Sequence, residues 1–210
     1  KIIDKLIDAL HKIKGAYSLV ILTNKKLIGV RDPYGIRPLV LGDKNGSPVL
    51  ASETCALDMI GANYIRDIEN GEIIIITEEG IESIKPFKKI KERPCIFERI
   101  YFASPDSIVD NKTVYTYRKS LGEQLANENN ICADVVVPIP DSGVSAAIGF
   151  SQRSSIPFEL GIIRSHYVGR TFIEPSQTIR QFGVKLKHSV NRSCIENKKV
   201  ILIDDSIVRG

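Results

Sequence analysis

Residues 199–210 read Lys-Val-Ile-Leu-Ile-Asp-Asp-Ser-Ile-Val-Arg-Gly, an apolar run that meets two adjacent acids, a hydroxyl and then Arg-Gly. Side by side, Asp204 and Asp205 repel each other, so the pair suits a place where hydroxyl groups or a bound cation neutralise it. Successive side chains on a strand point to opposite faces. The two acids can therefore serve one ligand only where the strand bends into a loop. Arg209 and Gly210 then lead toward a helix start, where free backbone N–H groups and the helix dipole favour a phosphate by about 0.3–1 kcal/mol. The plainer alternative is that Asp-Asp-Ser caps a helix.

A second string, Val135-Val-Val-Pro-Ile-Pro, runs into Asp141-Ser142-Gly143. Ligands of an open parallel sheet sit outside the carboxyl ends of its strands, so both polar turns are candidate ligand loops. The third piece is residues 164–192, with six Lys or Arg and one acid, Glu174. Six less one gives +5; the chain total is +4, which leaves −1 for everything else. A long loop in a compact domain is more often a lid or binding loop than a bare connection. Set beside a phosphate cradle, a positive one suits a polyanionic substrate. A solvated face and a nucleic-acid stripe are the competing readings, but Tyr167 and Phe172 are too sparse to serve as stacking platforms.

These loops need elements to hold them. From about residue 95 the texture alternates. "TYRKSLGEQLANE" predicts a helix with Tyr117, Leu121 and Leu125 on one face, and "ADVVVPIP" a strand. "SGVSAAIGFSQR" predicts a helix turning Val144, Ala147 and Ile148 inward, and "FELGIIR" and "KKVILID" two further strands. Strand–helix alternation predicts βαβ units and a parallel sheet. Upstream, Ile2, Ile3, Leu6, Ile7, Leu10 and Ile13 recur at helical spacing and predict an amphipathic helix over a core. Short β-type runs follow, punctuated by "TNKK", "DPYG", "DKNGSP" and "ENGE". Ile73 to Ile76, without alternation, predict a strand buried on both faces. The expected organisation is a layered, largely antiparallel α+β region over 1–85, a charged linker at 86–94, and an α/β region over 95–210.

At 210 residues and 43% apolar composition the chain can bury a sizeable core. The net charge of +4 is too small to imply nucleic acid or a membrane surface as partner. No apolar run reaches the roughly 18 residues of a membrane span. Cys55, Cys95, Cys132 and Cys194 form no C-x-x-C pair, which fits a reducing, cytoplasmic compartment. His11, His166 and His188 show no ligand or triad spacing.

Taken together, "VILIDDSIVRG", "VVVPIPDSG" and "YVGRTFIEPSQ" closely resemble the glutamine phosphoribosylpyrophosphate (PRPP) amidotransferase family. "RDPYGIRPLVLG" at 31–42 and "ASETCALD" at 51–58 are similar to the later half of its class-II, N-terminal-nucleophile glutaminase domain. "CIFERIYFASPDS" at 95–107 is similar to the entry into its type I phosphoribosyltransferase domain, here truncated. The resemblance implies an internal piece of an enzyme that joins ammonia from glutamine to PRPP. The products are 5-phosphoribosylamine, pyrophosphate and glutamate, the committed step of purine synthesis. It places Asp204 and Asp205 on the ribose hydroxyls and Mg²⁺, and Ser206, Ile207, Val208, Arg209 and Gly210 around the 5′-phosphate. Asp141, Ser142 and Gly143 become the pyrophosphate loop, with any Mg²⁺ contact at Gly143 made through backbone or water.

Arg164, Tyr167 and Arg170 fall in the flexible loop that closes over substrate; the family more often has Lys where Arg164 stands. Cys95 aligns with the first ligand of a [4Fe–4S] cluster that some members carry, the remaining ligands lying beyond Gly210. The family's nucleophilic Cys and its glutamine-binding residues precede Lys1, so the piece alone is expected to be inactive, and Cys55 is no substitute. Purine nucleotides as feedback inhibitors and a homo-oligomeric full-length form complete the expectation. Two competing readings are a PRPP-binding regulator without catalysis and a phosphoribosyltransferase acting on a base. The glutaminase-like stretch argues against both, and the complete loop argues further against the regulator.

Overall fold

A computed structural model describes residues 2–165 and 187–207. Contacts divide the chain into two compact units, Lys1–Val114 and Tyr115–Gly210.

The first unit is built on β6. Strands β1 (Ser18–Leu22), β2 (Leu27–Arg31), β6 (Ile73–Thr77) and β7 (Gly80–Ile84) form an antiparallel sheet in the order β1-β2-β6-β7. Along β6 successive isoleucines alternate between two cores. Ile73 and Ile75 join Ile28, Val30 and Leu10, with Ile3, Leu6 and Ile7 of helix α1 (Ile2–Leu10) packed on them. Ile74 and Ile76 join Leu39, Leu41 and Ile68. This is the doubly buried strand that the unbroken isoleucine run predicts. The helix stops at Leu10, so Ile13 falls beyond it, and Ile2 and Ile13 are each 50% exposed.

The second layer is an antiparallel sheet ordered β4-β3-β5, from β3 (Val40–Lys44), β4 (Ser47–Ala51) and β5 (Asn63–Asp67), with helix α2 (Thr54–Met59) alongside. Its β3–β4 hairpin turns on Asn45-Gly46 at φ 53° and 83°. Both residues take the positive φ that an Asn-Gly type I′ turn requires.

The charged stretch 86–94 is no free linker. Arg93 N–H donates to Tyr34 O at 2.8 Å and Cys95 N–H to Ile36 O at 3.2 Å. Beyond it a π-helical turn, Glu98–Phe102, closes with Ala103 N–H on Glu98 O at 3.0 Å, and a short antiparallel pair, β8 (Ile108–Val109) and β9 (Lys112–Thr113), follows. The Glu53 carboxylate then accepts Ser104 N–H (2.7 Å) and Ser107 Oγ–H (2.8 Å), tying 95–114 to the first unit. The contacts therefore divide at Val114, past the stretch that sequence alone offered as a boundary.

In the second unit, strand β10 (Val135–Pro138) is buried along its length and pairs in parallel with β13 (Val200–Ile203). Helix α3 (Val114–Glu128) and helix α4 (Val144–Ser154) enclose a core of Val136, Ala147, Phe150 and Ile203. The expected inward face of α3 needs correction: Leu121 and Leu125 are 41% and 40% exposed, whereas Arg118 and Gly122 are buried. The two helices meet through glycine. A Cβ on Gly122 would collide with the Ala146 carbonyl, and one on Gly149 with the Lys119 carbonyl. On α4, Ala147 faces inward as expected, but Val144 and Ile148 are only half-buried and Phe150 supplies the volume.

"FELGIIR" also departs from expectation. It makes one parallel bridge, Phe158 to Val136, and then β11 (Ile162–Arg164) pairs antiparallel with β12 (His188–Val190) instead of extending the parallel sheet. A short helix, α5 (Arg192–Ile195), leads back to β13. The fold is mixed α/β, and among the described residues no helix is long and apolar enough to cross a membrane.

Candidate functional site

Parallel pairing of β10 with β13 in the register Pro138–Ile203 brings the two polar turns out at the same end of the sheet. Ile139 N–H continues the ladder by donating to Ile203 O at 2.8 Å. The chain then turns through Pro140 and Asp141, joined by a cis peptide, and enters α4 at Gly143, whose N–H donates to Ile139 O at 3.0 Å. Strand β13 ends at Ile203, so Asp204 and Asp205 lie in the loop beyond it, where they are free of strand alternation. Asp205 N–H folds back onto Asp204 Oδ1 at 2.8 Å, and the Ser206 hydroxyl donates to the Asp205 carboxylate.

Burial pushes the Asp204 carboxyl above its ordinary value. The Asp205 N–H opposes that shift and the Asp205 charge reinforces it. Two neighbouring carboxylates, one of them held against its own ionisation, fit a divalent cation or sugar hydroxyls that would take up their charge. Cys95, the one expected cluster ligand within this span, is half-buried. Among the described residues no three His, Cys, Asp or Glu side chains come together.

Arg164, at the end of β11, forms an ion pair with Asp141, which joins one expected loop residue to the expected pyrophosphate turn. The Arg164 Nε is buried there without a hydrogen-bond acceptor. His188 stands opposite Arg164 in the β11–β12 register. Burial lowers its pKa, as do the charges of Lys187 and Arg164, while Asp141 acts against them. Nothing in the spacing of the histidines points to that corner, because strand pairing across more than twenty residues creates it. Ser142 lies in the same turn, half-buried, and Ile207 is 93% exposed. Tyr167, Arg170, Val208, Arg209 and Gly210 lie outside the described residues.

A cavity of about 620 Å³ lies in the first unit, between Arg31, Glu69, Lys85, Phe87 and Arg99. Several of its charges are engaged within the protein, while Lys88, Lys89 and Glu92 also line it. Lys85 pairs with Glu69 and Arg99 with Asp110, and the Arg31 guanidinium donates to the carbonyls of Arg37, Ile68 and Gly35. Volume alone therefore does not locate the chemistry, and the polar turns at the strand ends are the better candidate. Sequence reading also missed Glu98, which is 6% exposed and ion-paired with Arg37 at 2.5 Å. Burial raises its pKa, Arg37 lowers it and Glu53 raises it further.

A family profile described as "Glutamine amidotransferase domain" matches residues 2–59. Over 99% of its length the chain is 59% identical to the amidophosphoribosyltransferase of Rhizobium etli, covering 43% of that relative. It is 54% identical over 98% of its length to the chloroplastic amidophosphoribosyltransferase 1 of Arabidopsis thaliana, covering 37% of it. Among solved structures, the glutamine PRPP amidotransferase of Bacillus subtilis complexed with ADP and GMP matches with a TM-score of 0.92 and 46% identity. That match covers 100% of this chain and 46% of the other. The chain thus spans less than half the length of these relatives.

Proposed function

The chain belongs to the amidophosphoribosyltransferase family over the span it shares with these relatives, and from that premise we propose that it serves glutamine-dependent transfer of ammonia to PRPP. The products are 5-phosphoribosylamine, pyrophosphate and glutamate, in the first committed step of purine (IMP) biosynthesis. The observation that carries this reading is the in-register β10–β13 pair, which delivers Asp141-Ser142-Gly143 and Asp204-Asp205-Ser206 to one end of the sheet. In this reading residues 1–85 are the later part of the glutaminase domain and residues 95–210 part of a type I phosphoribosyltransferase domain, whose first stretch packs within the first unit.

The chemistry asks for little covalent help from the protein. Departure of pyrophosphate from C1 leaves an oxocarbenium-like sugar, so the site must orient the sugar, hold the leaving charge and exclude water. Asp204 and Asp205 hold the ribose hydroxyls, and the segment from Ser206 to Gly210 takes the 5′-phosphate. Asp141, Ser142 and Gly143 face the pyrophosphate, and Arg164, Tyr167 and Arg170 bring charge and cover. Mg²⁺, when bound by Asp204 and Asp205 with backbone or water at Gly143, supplies Lewis-acid charge neutralisation. A [4Fe–4S] cluster enters no step of this chemistry.

Purine nucleotides are proposed as feedback inhibitors, since the Bacillus subtilis relative was solved with ADP and GMP. The full-length form is taken to be a cytoplasmic homo-oligomer. The test is Asp205→Asn in the full-length enzyme. Synthase activity falls on the order of 100-fold or more through lost charge stabilisation, while glutamine hydrolysis stays near wild type. Equal loss of both activities would refute the assignment.

A further inference from the structure

We infer that Gly143 is a positioning residue that sets the span between the two halves of the PRPP site by direct backbone contact. This rests on the functional reading above. The Ile203 carbonyl oxygen, the last of β13, accepts the Ile139 N–H at 2.8 Å. Gly143 lies over the same oxygen so closely that a Cβ there would stand well inside the carbon–oxygen contact distance, and also 3.0 Å from Ile139 O. Asp204 is the next residue after Ile203. One carbonyl therefore fixes both the acid pair and the turn that faces the leaving group.

No flexible side chain lies between these groups to absorb a change. The obstructing atoms are main-chain oxygens, and the φ of Gly143, −76°, is ordinary for any residue. The requirement is thus for close approach and not for glycine's conformational freedom. Any side chain at 143 pushes the first turn of α4 away from β13 and widens the span by about an ångström, a displacement that can cost about 100-fold where reacting groups must be aligned. It follows that a hydroxyl at 143 does not serve as an added cation ligand in this protein, because the geometry that would let it coordinate is lost in making room for it.

Gly149 gives a matched control. It lies on the same helix, and a Cβ there meets another main-chain oxygen, that of Lys119, which belongs to neither polar turn. Three variants of the full-length enzyme, Gly143→Ala, Gly143→Ser and Gly149→Ala, are compared by Tm, by calorimetric Kd for pyrophosphate with Mg²⁺, and by KM and kcat for PRPP. Gly143→Ala and Gly143→Ser both weaken pyrophosphate binding and lower kcat/KM for PRPP by about 10- to 100-fold, with no advantage to the hydroxyl. Gly149→Ala lowers Tm and leaves Kd and KM at wild-type values.

Three results would overturn the inference: an unchanged Kd in Gly143→Ala, tighter binding in Gly143→Ser than in wild type, or failure of Gly143→Ala to fold where Gly149→Ala folds. A wild-type enzyme that neither binds pyrophosphate nor uses PRPP would instead sink the functional reading.

Discussion

The two units are held together in different ways. In the first, side chains do the joining: β6 drives four isoleucines into two cores, and a buried carboxylate collects donors from three residues. In the second, main chain meets main chain. Helices α3 and α4 touch through Gly122 and Gly149, and the turn before α4 rests on the last carbonyl of β13 through Gly143. The first kind of contact tolerates partial loss, because neighbouring side chains relax into the space. The second kind has no slack, and it lies next to the proposed chemistry.

That contrast can be broken or sharpened by urea unfolding of point variants. The largest effect is expected at Ile74→Ala, which empties a fully buried position between the sheets and should cost about 3–5 kcal/mol. Gly122→Ala should cost about 3 kcal/mol although it only adds a methyl group, because the atom it meets is a backbone oxygen. A neutral Gly122→Ala would end the distinction between the units.

Glu72→Gln should cost about 2–3 kcal/mol at pH 7, within the range for a buried charged network that loses its ion pair. The Glu72 carboxylate is 1% exposed and receives Arg66 at 2.6 Å, Ser83 Oγ–H at 2.7 Å and Glu69 N–H at 2.6 Å. Burial acts to raise its pKa, but these donors outweigh burial and hold it at about 2 against an ordinary 4.5. The carboxyl therefore releases its proton more readily in the folded protein. Its stabilisation, about 3 kcal/mol, is complete above pH 4.5 and fades as pH falls toward 2. Acid titration of stability should show that slope in the wild type and a weaker one in Glu72→Gln. Smallest of all, Leu121→Ala should cost under about 1 kcal/mol, since that side chain is 41% exposed beside the glycine that carries the contact.

Much of this was legible in the residues. The unbroken Ile73–Ile76 run announced a strand buried on both faces, and "DKNGSP" a turn, which the structure makes the Asn45-Gly46 hairpin. The acids after β13 and the polar turn after β10 marked themselves as strand-end loops by following apolar runs directly. The face of α3 was misread because periodicity ranks positions by apolarity. A helix that packs through glycine leaves its leucines half in water, and no hydropathy pattern shows that. The stretch 86–94 looked like a linker for a similar reason: its charge is real, but Arg93 N–H is held by Tyr34 O and Phe87 packs against the core of the first unit. The corner of Arg164, Asp141 and His188 was invisible, because three distant segments meet there only through the β11–β12 pairing and the Arg164–Asp141 ion pair.

By itself, then, the sequence determined which segments are apolar enough to be strands and which polar turns follow them, because burial and turn chemistry are local properties of residue type. Only the tertiary structure decided that the two turns leave the same end of a parallel pair, that Gly143 lies against Ile203, and that the contacts divide at Val114. Those are distances between segments far apart in the chain, fixed by which backbone groups find one another once the cores have closed.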